Sequence, residues 1–417
     1  MSLVDVTPPI GGPLAGYGAR GVSTGVLDPI CAVLALIEDD DQRACVIALD
    51  AVGVRVAVAD RVRYAVAGAV GVPVESVMLS CTHTHAGPDW FDTDTASIES
   101  ANQMIAQVVA EAQAMPARLR EVEAGVALGE TTIGVNRRVD GPDGRAVMGE
   151  NPSGPIDARV GTVVFTVPGG DIIGTITVAT AHANCLKGQN TCLSADFVGA
   201  FRDHLTQHTG APAMFVQGAA GDINPRLRGG KHEAQQTGAR LATDVIHTLP
   251  DATAVGAHVG VATRRVKVPF APIPDRAAAE QVARTAHTEW GQPVADWLDW
   301  HAHTLTETGG HGLSADITVL RLGHVYIGGA PWELFSQIAL DAQAEHATST
   351  VLLCGYINGY YGYLATAEEH ARGGYEIEWM PICYGMGTDM PLPMSPTAAD
   401  LIRDTFTATV ARLRSNH

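Results

Sequence analysis

Positive charge is scarce in this chain. Its 417 residues include 27 Lys and Arg against 45 Asp and Glu, a formal net charge of −18. A field of that sign repels phosphate backbones and anionic bilayers, so neither general nucleic-acid binding nor adhesion to a membrane surface is expected. Long apolar runs are missing too. None approaches the roughly 18 residues needed to cross a bilayer, and the longest, such as residues 30–37, is strand-sized. The opening stretch, MSLVDVTPPIGG, holds neither a basic region nor an apolar leader. The seven cysteines (Cys31, Cys45, Cys81, Cys185, Cys192, Cys354 and Cys383) are odd in number and form no CxxC pair. That suits reduced thiols, and a cytoplasmic location is the expectation.

What is present is enough apolar material, 46% of the chain, for a substantial core. Hydrophobic patterning predicts strands over 45–49, 77–81, 161–167, 172–179, 214–217, 319–322, 325–327 and 351–356. Helices are predicted over 55–70, 97–114, 197–208, 231–248, 276–303, 334–345 and 398–415. This alternation indicates an α/β fold, a mixed sheet covered by helices. Residues 140–155 and 308–314 read as Gly- and Pro-rich loops, and no segment of the sequence repeats. The expectation is one catalytic domain over 1–417 with a helical insertion near 270–310.

Chemistry-bearing residues cluster just after the strands. Residues 77–81 run into Thr82-His83-Thr84-His85-Ala86-Gly87-Pro88, and residues 176–179 into Thr180-Ala181-His182. The 214–217 strand leads to Gly218 through Asp222 and Asn224, and the 325–327 strand to Glu333. Strand 351–355 leads to Asn358, Tyr360, Tyr361 and Tyr363. In open α/β sheets ligands bind beyond the carboxyl ends of strands, so these sequence-distant groups can meet at one mouth. Two imidazoles and a carboxylate suit zinc with a position left for water. In an extended segment His83 and His85 face the same side, as two ligands or as one ligand and one acid/base. Tyr356, Tyr360, Tyr361 and Tyr363 fit either aromatic packing or a role as donor or ligand.

Rival signals are weaker. Gly16-Tyr17-Gly18-Ala19-Arg20-Gly21 matches GxGxxG, but Gly25 and Pro29 follow where a dinucleotide site opens a helix. His301 and His303, with His311 nearby, read as a partly exposed helix surface, and Cys185 and Cys192 as inert thiols. Neither a GxSxG elbow nor an HExxH helix is present.

The motifs resemble those of the catalytic domain of the neutral (alkaline, non-lysosomal) ceramidases, zinc-dependent amidases. The resemblance runs from Asp5-Val6-Thr7 and Gly16-Tyr17 through THTHAGP at 82–88, Asn136-Arg137, His182 and Gly221-Asp222. It ends with Asn358-x-Tyr360-x-x-Tyr363-x-x-Thr366-x-Glu368-Glu369 and Tyr375-Glu376. It implies one zinc held by His83, His182, Glu333 and Tyr363, with His85, Arg137 and Tyr375 as catalytic residues. The implied reaction is hydrolysis of a small-molecule amide by metal-activated water, His85 moving the proton and Arg137 and Tyr375 stabilising the oxyanion. Asn224 stands where the family has Ser, which excludes a serine acyl-enzyme there but leaves the zinc mechanism intact. The 183–195 segment also departs from the family, and the family's immunoglobulin-like C-terminal domain is not expected, so a substrate smaller or more soluble than ceramide is. A biosynthetic acyl transfer or cyclisation at the same site, or a non-catalytic ligand-binding role, stays open, as does the oligomeric state.

Overall fold

The computed structural model describes residues 1–18, 20–91, 94–273, 276–290, 294–308 and 311–415. The α/β class holds, but the strands are divided among three principal mixed sheets. Each sheet is built by the same chain path, although no sequence segment repeats. An edge strand comes first, then an antiparallel hairpin, a crossover helix, a strand returning parallel to the second hairpin strand, and a closing helix.

In the first unit these are Ser2–Asp5, Cys31–Glu38 with Arg43–Leu49, helix Val56–Val70, Val77–Cys81 and helix Thr95–Ala114. The second comprises Glu123–Glu130, Arg159–Thr166 with Ile172–Ala179, helix Phe197–Thr209, Ala213–Gln217 and helix Lys231–Thr248. The third comprises Val259–Val268, Leu313–Leu322 with Val325–Gly329, helix Ser336–Ala344, Thr350–Cys354 and helix Ala398–Ser415. The pairing directions make three strands of every sheet point the same way. Their carboxyl ends lie at one rim, where three sets of loops gather.

The central strands are buried on both faces, which is why Cys31–Glu38 and Ile172–Ala179 read as nearly continuous apolar runs. Where the returning strands end, the units are stitched together. Cys81 N donates to Tyr356 O at 3.2 Å, and Gly355 N to Gly218 O at 3.3 Å. The buried Gln217 amide donates to Thr82 O at 3.1 Å and to Ala181 O at 2.7 Å. Backbone bridges join Ser80 to Ile357, Thr84 to Ala183 and Gly218 to Cys354.

Insertions into this plan differ from the expectations. Residues 140–155 are not a plain loop: they contain the turn and second strand of a hairpin, Gly134–Asp140 with Ala146–Asn151. The predicted 276–303 helix is two, Arg276–Trp290 and Val294–Thr308, with 291–293 outside the described residues. His301 is not on a surface but buried, its ring 4.7 Å from that of Trp297. Cys185 is buried and burial pushes its thiol well up, as befits an inert core residue. Among the described residues no helix is long and apolar enough to cross a membrane.

The tightest helix contact in the second unit rests on a missing side chain. A Cβ at Gly238 would stand 2.4 Å from Phe197 O and 2.6 Å from Phe201 N, backbone atoms that cannot rotate away. Gly238→Ala is therefore expected to force helices Phe197–Thr209 and Lys231–Thr248 apart and cost about 1–3 kcal/mol. Urea denaturation checks this, and an unchanged midpoint would show that the helices shift freely.

Candidate metal centre and catalytic residues

Each unit sends one electron-pair donor to the rim. His83 follows the returning strand of the first unit, His182 the second hairpin strand of the second, and Glu333 the second hairpin strand of the third. Glu333 Oε2 lies 3.1 Å from His83 Nε2 and 3.1 Å from His182 Nε2, and all three side chains are buried. Backbone carbonyls set the tautomers. His83 Nδ1 faces Val52 O, and His182 Nδ1 faces Ala220 O at 2.7 Å and Ile223 O at 3.0 Å. A ring nitrogen opposite a carbonyl must carry the proton, so both Nε2 atoms present lone pairs. Three lone pairs then converge with no proton of their own between them, an arrangement that a cation satisfies. Ligand atoms sharing one tetrahedral zinc stand about 3.3 Å apart, close to the spacing found.

The backbone is held in costly conformations to bring this about. His83 sits at φ 64° and Tyr356 at φ 60°, in the left-handed region. Each lies two residues beyond its unit's returning strand. His83 and His85 therefore do not converge as alternate residues of an extended segment, because His83 is in a left-handed turn. They still meet, with their Nε2 atoms 3.1 Å apart. Since His83 Nε2 is an acceptor, His85 Nε2–H donates to it, which leaves His85 Nδ1 as a bare lone pair, buried and without a partner. Burial, then the neighbouring His83 and His182, push the His85 pKa well down, keeping the ring neutral. Burial and Arg137 likewise push His182 down to about 3. The group His83, His85 and His182 has the proximity needed to hold a metal ion.

Glu333 is gripped from behind by two phenols, Tyr356 at 3.1 Å on Oε2 and Tyr360 on Oε1. These two O–H donors favour the ionised form of the carboxylate. Tyr363 reaches the same mouth through backbone pairing: Glu333–Leu334 runs parallel to Tyr363–Leu364, with Glu333 in register with Tyr363, so both side chains share a face. The Arg137 guanidinium lies over the Tyr363 ring, 5.3 Å from Cζ to the centroid, and that ring lies 6.5 Å from that of His182 and 5.8 Å from that of Tyr375.

Arg137 enters from the inserted hairpin. Its Nε donates to Glu376 at 2.9 Å and its Nη1 to His182 Nε2 at 3.1 Å, while the buried Nη2 has no partner. Glu376 is shared with Arg138, which also holds Glu369 and Gly373 O. These two arginines strap the segment carrying Tyr375 onto the site. Asn224 Oδ1 accepts from Arg137 Nη1 at 3.4 Å and from Asn184 Nδ2 at 3.3 Å, and Asn184 Oδ1 is a buried acceptor with nothing to accept.

No protein-family model matches the chain, and no curated protein sequence does. Solved structures do. The neutral ceramidase from Pseudomonas aeruginosa superposes with a TM-score of 0.74 at 19% identity, covering 99% of this chain and 73% of that one. A ceramidase complexed with C2 gives 0.75, also at 19% identity, covering 99% and 74%. This chain has the neutral ceramidase fold.

All seven residues that the sequence resemblance implied, His83, His85, Arg137, His182, Glu333, Tyr363 and Tyr375, stand at one mouth. Sequence reasoning missed the donors behind them. Tyr356 and Tyr360, left open between packing and chemistry, hold the Glu333 carboxylate. Glu376, quoted only as part of a motif, anchors Arg137, and Asn184 was not singled out. A buried Arg-Arg pair opposite a buried Glu has no local spacing signature. Gly16 turns out to belong to the mouth, since a Cβ there would meet His85 Cα at 2.7 Å.

Asp222 ties the mouth together from below, accepting from Ser336 N at 2.8 Å and Asn136 Nδ2 at 2.9 Å. Burial pushes its carboxyl up to about 7 against these bonds, from 3.8 in the open chain. Across that window the folded protein keeps a proton that the unfolded chain releases, so stability falls as pH rises. Relative to the parent, Asp222→Asn is expected to gain stability steadily between those two pH values in denaturation titrations. A flat difference would show that Asp222 is ionised throughout.

Proposed function

We propose that this protein is a zinc-dependent hydrolase of carboxamide (N-acyl) bonds. The convergence of His83 Nε2, His182 Nε2 and Glu333 Oε2, with both Nδ1 protons committed to carbonyls, carries the reading. These three would hold the ion, with Tyr363 as the fourth protein ligand. Bound there, zinc supplies Lewis acidity and an activated water nucleophile at neutral pH. The ceramidase-type fold supports an amide as the bond attacked.

The remaining groups divide the work by their chemistry. His85, neutral and with a free Nδ1 lone pair, takes a proton from the nucleophile and returns it to the leaving amine. Arg137 offers Nη2 to the oxygen that gains charge, and its Nη1 joins once His182 is engaged elsewhere. Tyr375, edge-on to Tyr363, adds a phenol on the same side. Burial of the whole set strengthens each of these interactions by excluding water. The Tyr356 and Tyr360 hydroxyls keep Glu333 oriented and ionised.

Elemental analysis of the purified protein is expected to give about one zinc per chain, lost in His83→Ala and in His182→Ala together with amide hydrolysis. Metal and turnover surviving in either variant would overturn the assignment. His85→Ala is expected to keep the metal and lose about 10²–10⁴ in rate, the usual worth of a general acid–base. Zinc without turnover of any amide, ester or lactam would instead indicate a binding protein.

A further inference from the structure

Arginine supplies most of the positive charge in this chain and is nearly always satisfied where it is buried. Arg202 holds Asp50, Arg159 holds Asp157, and Arg138 is shared between Glu369 and Glu376. Among the described residues, two arginines have buried side-chain nitrogens without a partner. They are Arg137, through Nη2, and Arg20, through Nε and Nη1. Arg137 has its task at the reacting carbonyl under the function proposed above. Arg20 has none.

Its position is informative. Arg20 lies over the Tyr17 ring, 5.4 Å from Cζ to the centroid, and the Tyr17 ring is 5.1 Å from that of His85. The loop is fixed against the THTHAGP segment, with Ala15 N donating to Gly87 O at 3.1 Å and Leu14 bridging to Pro88. Arg20 Nη2 donates to Ala15 O at 2.6 Å, so the guanidinium is held in place while its other edges lack acceptors. A second guanidinium lies near the same tyrosine: Arg228 interacts electrostatically with the Tyr17 side chain and donates from Nε to Asn184 O at 3.4 Å. Neither Arg20 nor Arg228 forms an ion pair with a carboxylate among the described residues. In a chain of net charge −18, acids are abundant, and a cationic rim left without one is a place kept for an external anion. A buried donor without an acceptor is costly, and an anionic ligand removes that cost.

We propose that the substrate is an amide bearing an oxyanion group, a carboxylate or a phosphate, which Arg20 binds at the Tyr17 side of the mouth with Arg228 beside it. This rests on the hydrolase reading and narrows it. It makes a neutral lipid amide a poor substrate and an N-acyl amino acid or an N-acyl phosphoethanolamine a good one. The anion is not consumed; it orients the amide so that its carbonyl meets Arg137.

Matched pairs test it: N-acylglycine against N-acylmethylamine, and N-acyl phosphoethanolamine against N-acylethanolamine, with the acyl group held constant. The expected result is kcat/KM at least tenfold higher for the anionic member of one pair, and that pair identifies the group. Arg20→Gln should reduce the ratio about tenfold or more, mainly through KM, and Arg20→Lys should restore part of it. Equal rates within both pairs, or a ratio unchanged in Arg20→Gln, would overturn the proposal while leaving the hydrolase intact. Calorimetry with N-acylglycine and N-acyl phosphoethanolamine separates the two readings if no amide is turned over. Binding that Arg20→Gln abolishes supports the anion site without the hydrolase, and no binding of either sinks both.

Discussion

Two imidazole lone pairs, each 3.1 Å from one carboxylate oxygen, repel it unless something positive lies among them, and the rest of the structure is arranged around that constraint. The backbone carbonyls of Val52, Ala220 and Ile223 fix the Nδ1 protons so that the lone pairs cannot turn away. The phenols of Tyr356 and Tyr360 donate to the carboxylate and fix its orientation. Positive-φ turns at His83 and Tyr356 accept conformational strain to deliver these side chains. Strain of this kind persists only where the surroundings over-determine it, and here three sheets converge on the same few ångströms.

The threefold plan explains why so many distant residues can meet. Edge strand, second hairpin strand and returning strand run the same way in every unit, so their loops gather at one rim and each unit contributes differently. The first supplies His83 and His85, the second His182 and Asn184, and the third Glu333 and the tyrosines. Insertions after the edge strands bring in Tyr17 and Arg20 from the first unit and Arg137 from the second. The shared framework bears packing and stitching, which leaves the rim free to diverge.

Much of the fold was legible because its signals are local. Strands 77–81 and 172–179 and helices 231–248 and 398–415 have the bounds that apolar periodicity predicted. The edge strands were missed because their alternation is weak. Val259–Val268, for instance, is exposed or half-buried over most of its length. The inserted hairpin was taken for a loop because its turn is rich in Gly, Pro and Asp while its strands are short and polar.

The sequence by itself determined the alternation of strands and helices, the α/β class, and the residue types of the mouth, since strand-end His, Glu and Tyr can be read by chemistry and by family likeness. Tertiary structure alone decided which atoms face which. It turned THTH from an extended pair into a left-handed turn and gave Glu333 its two phenols. It set Arg137 and Arg138 against Glu376, and it left Arg20 over Tyr17 without an acid. Contacts between units decide several of these outcomes, Arg137 and Glu376 for example lying 239 residues apart in sequence. Local propensity carries no information about such contacts, because it is the packing of the three sheets that selects them.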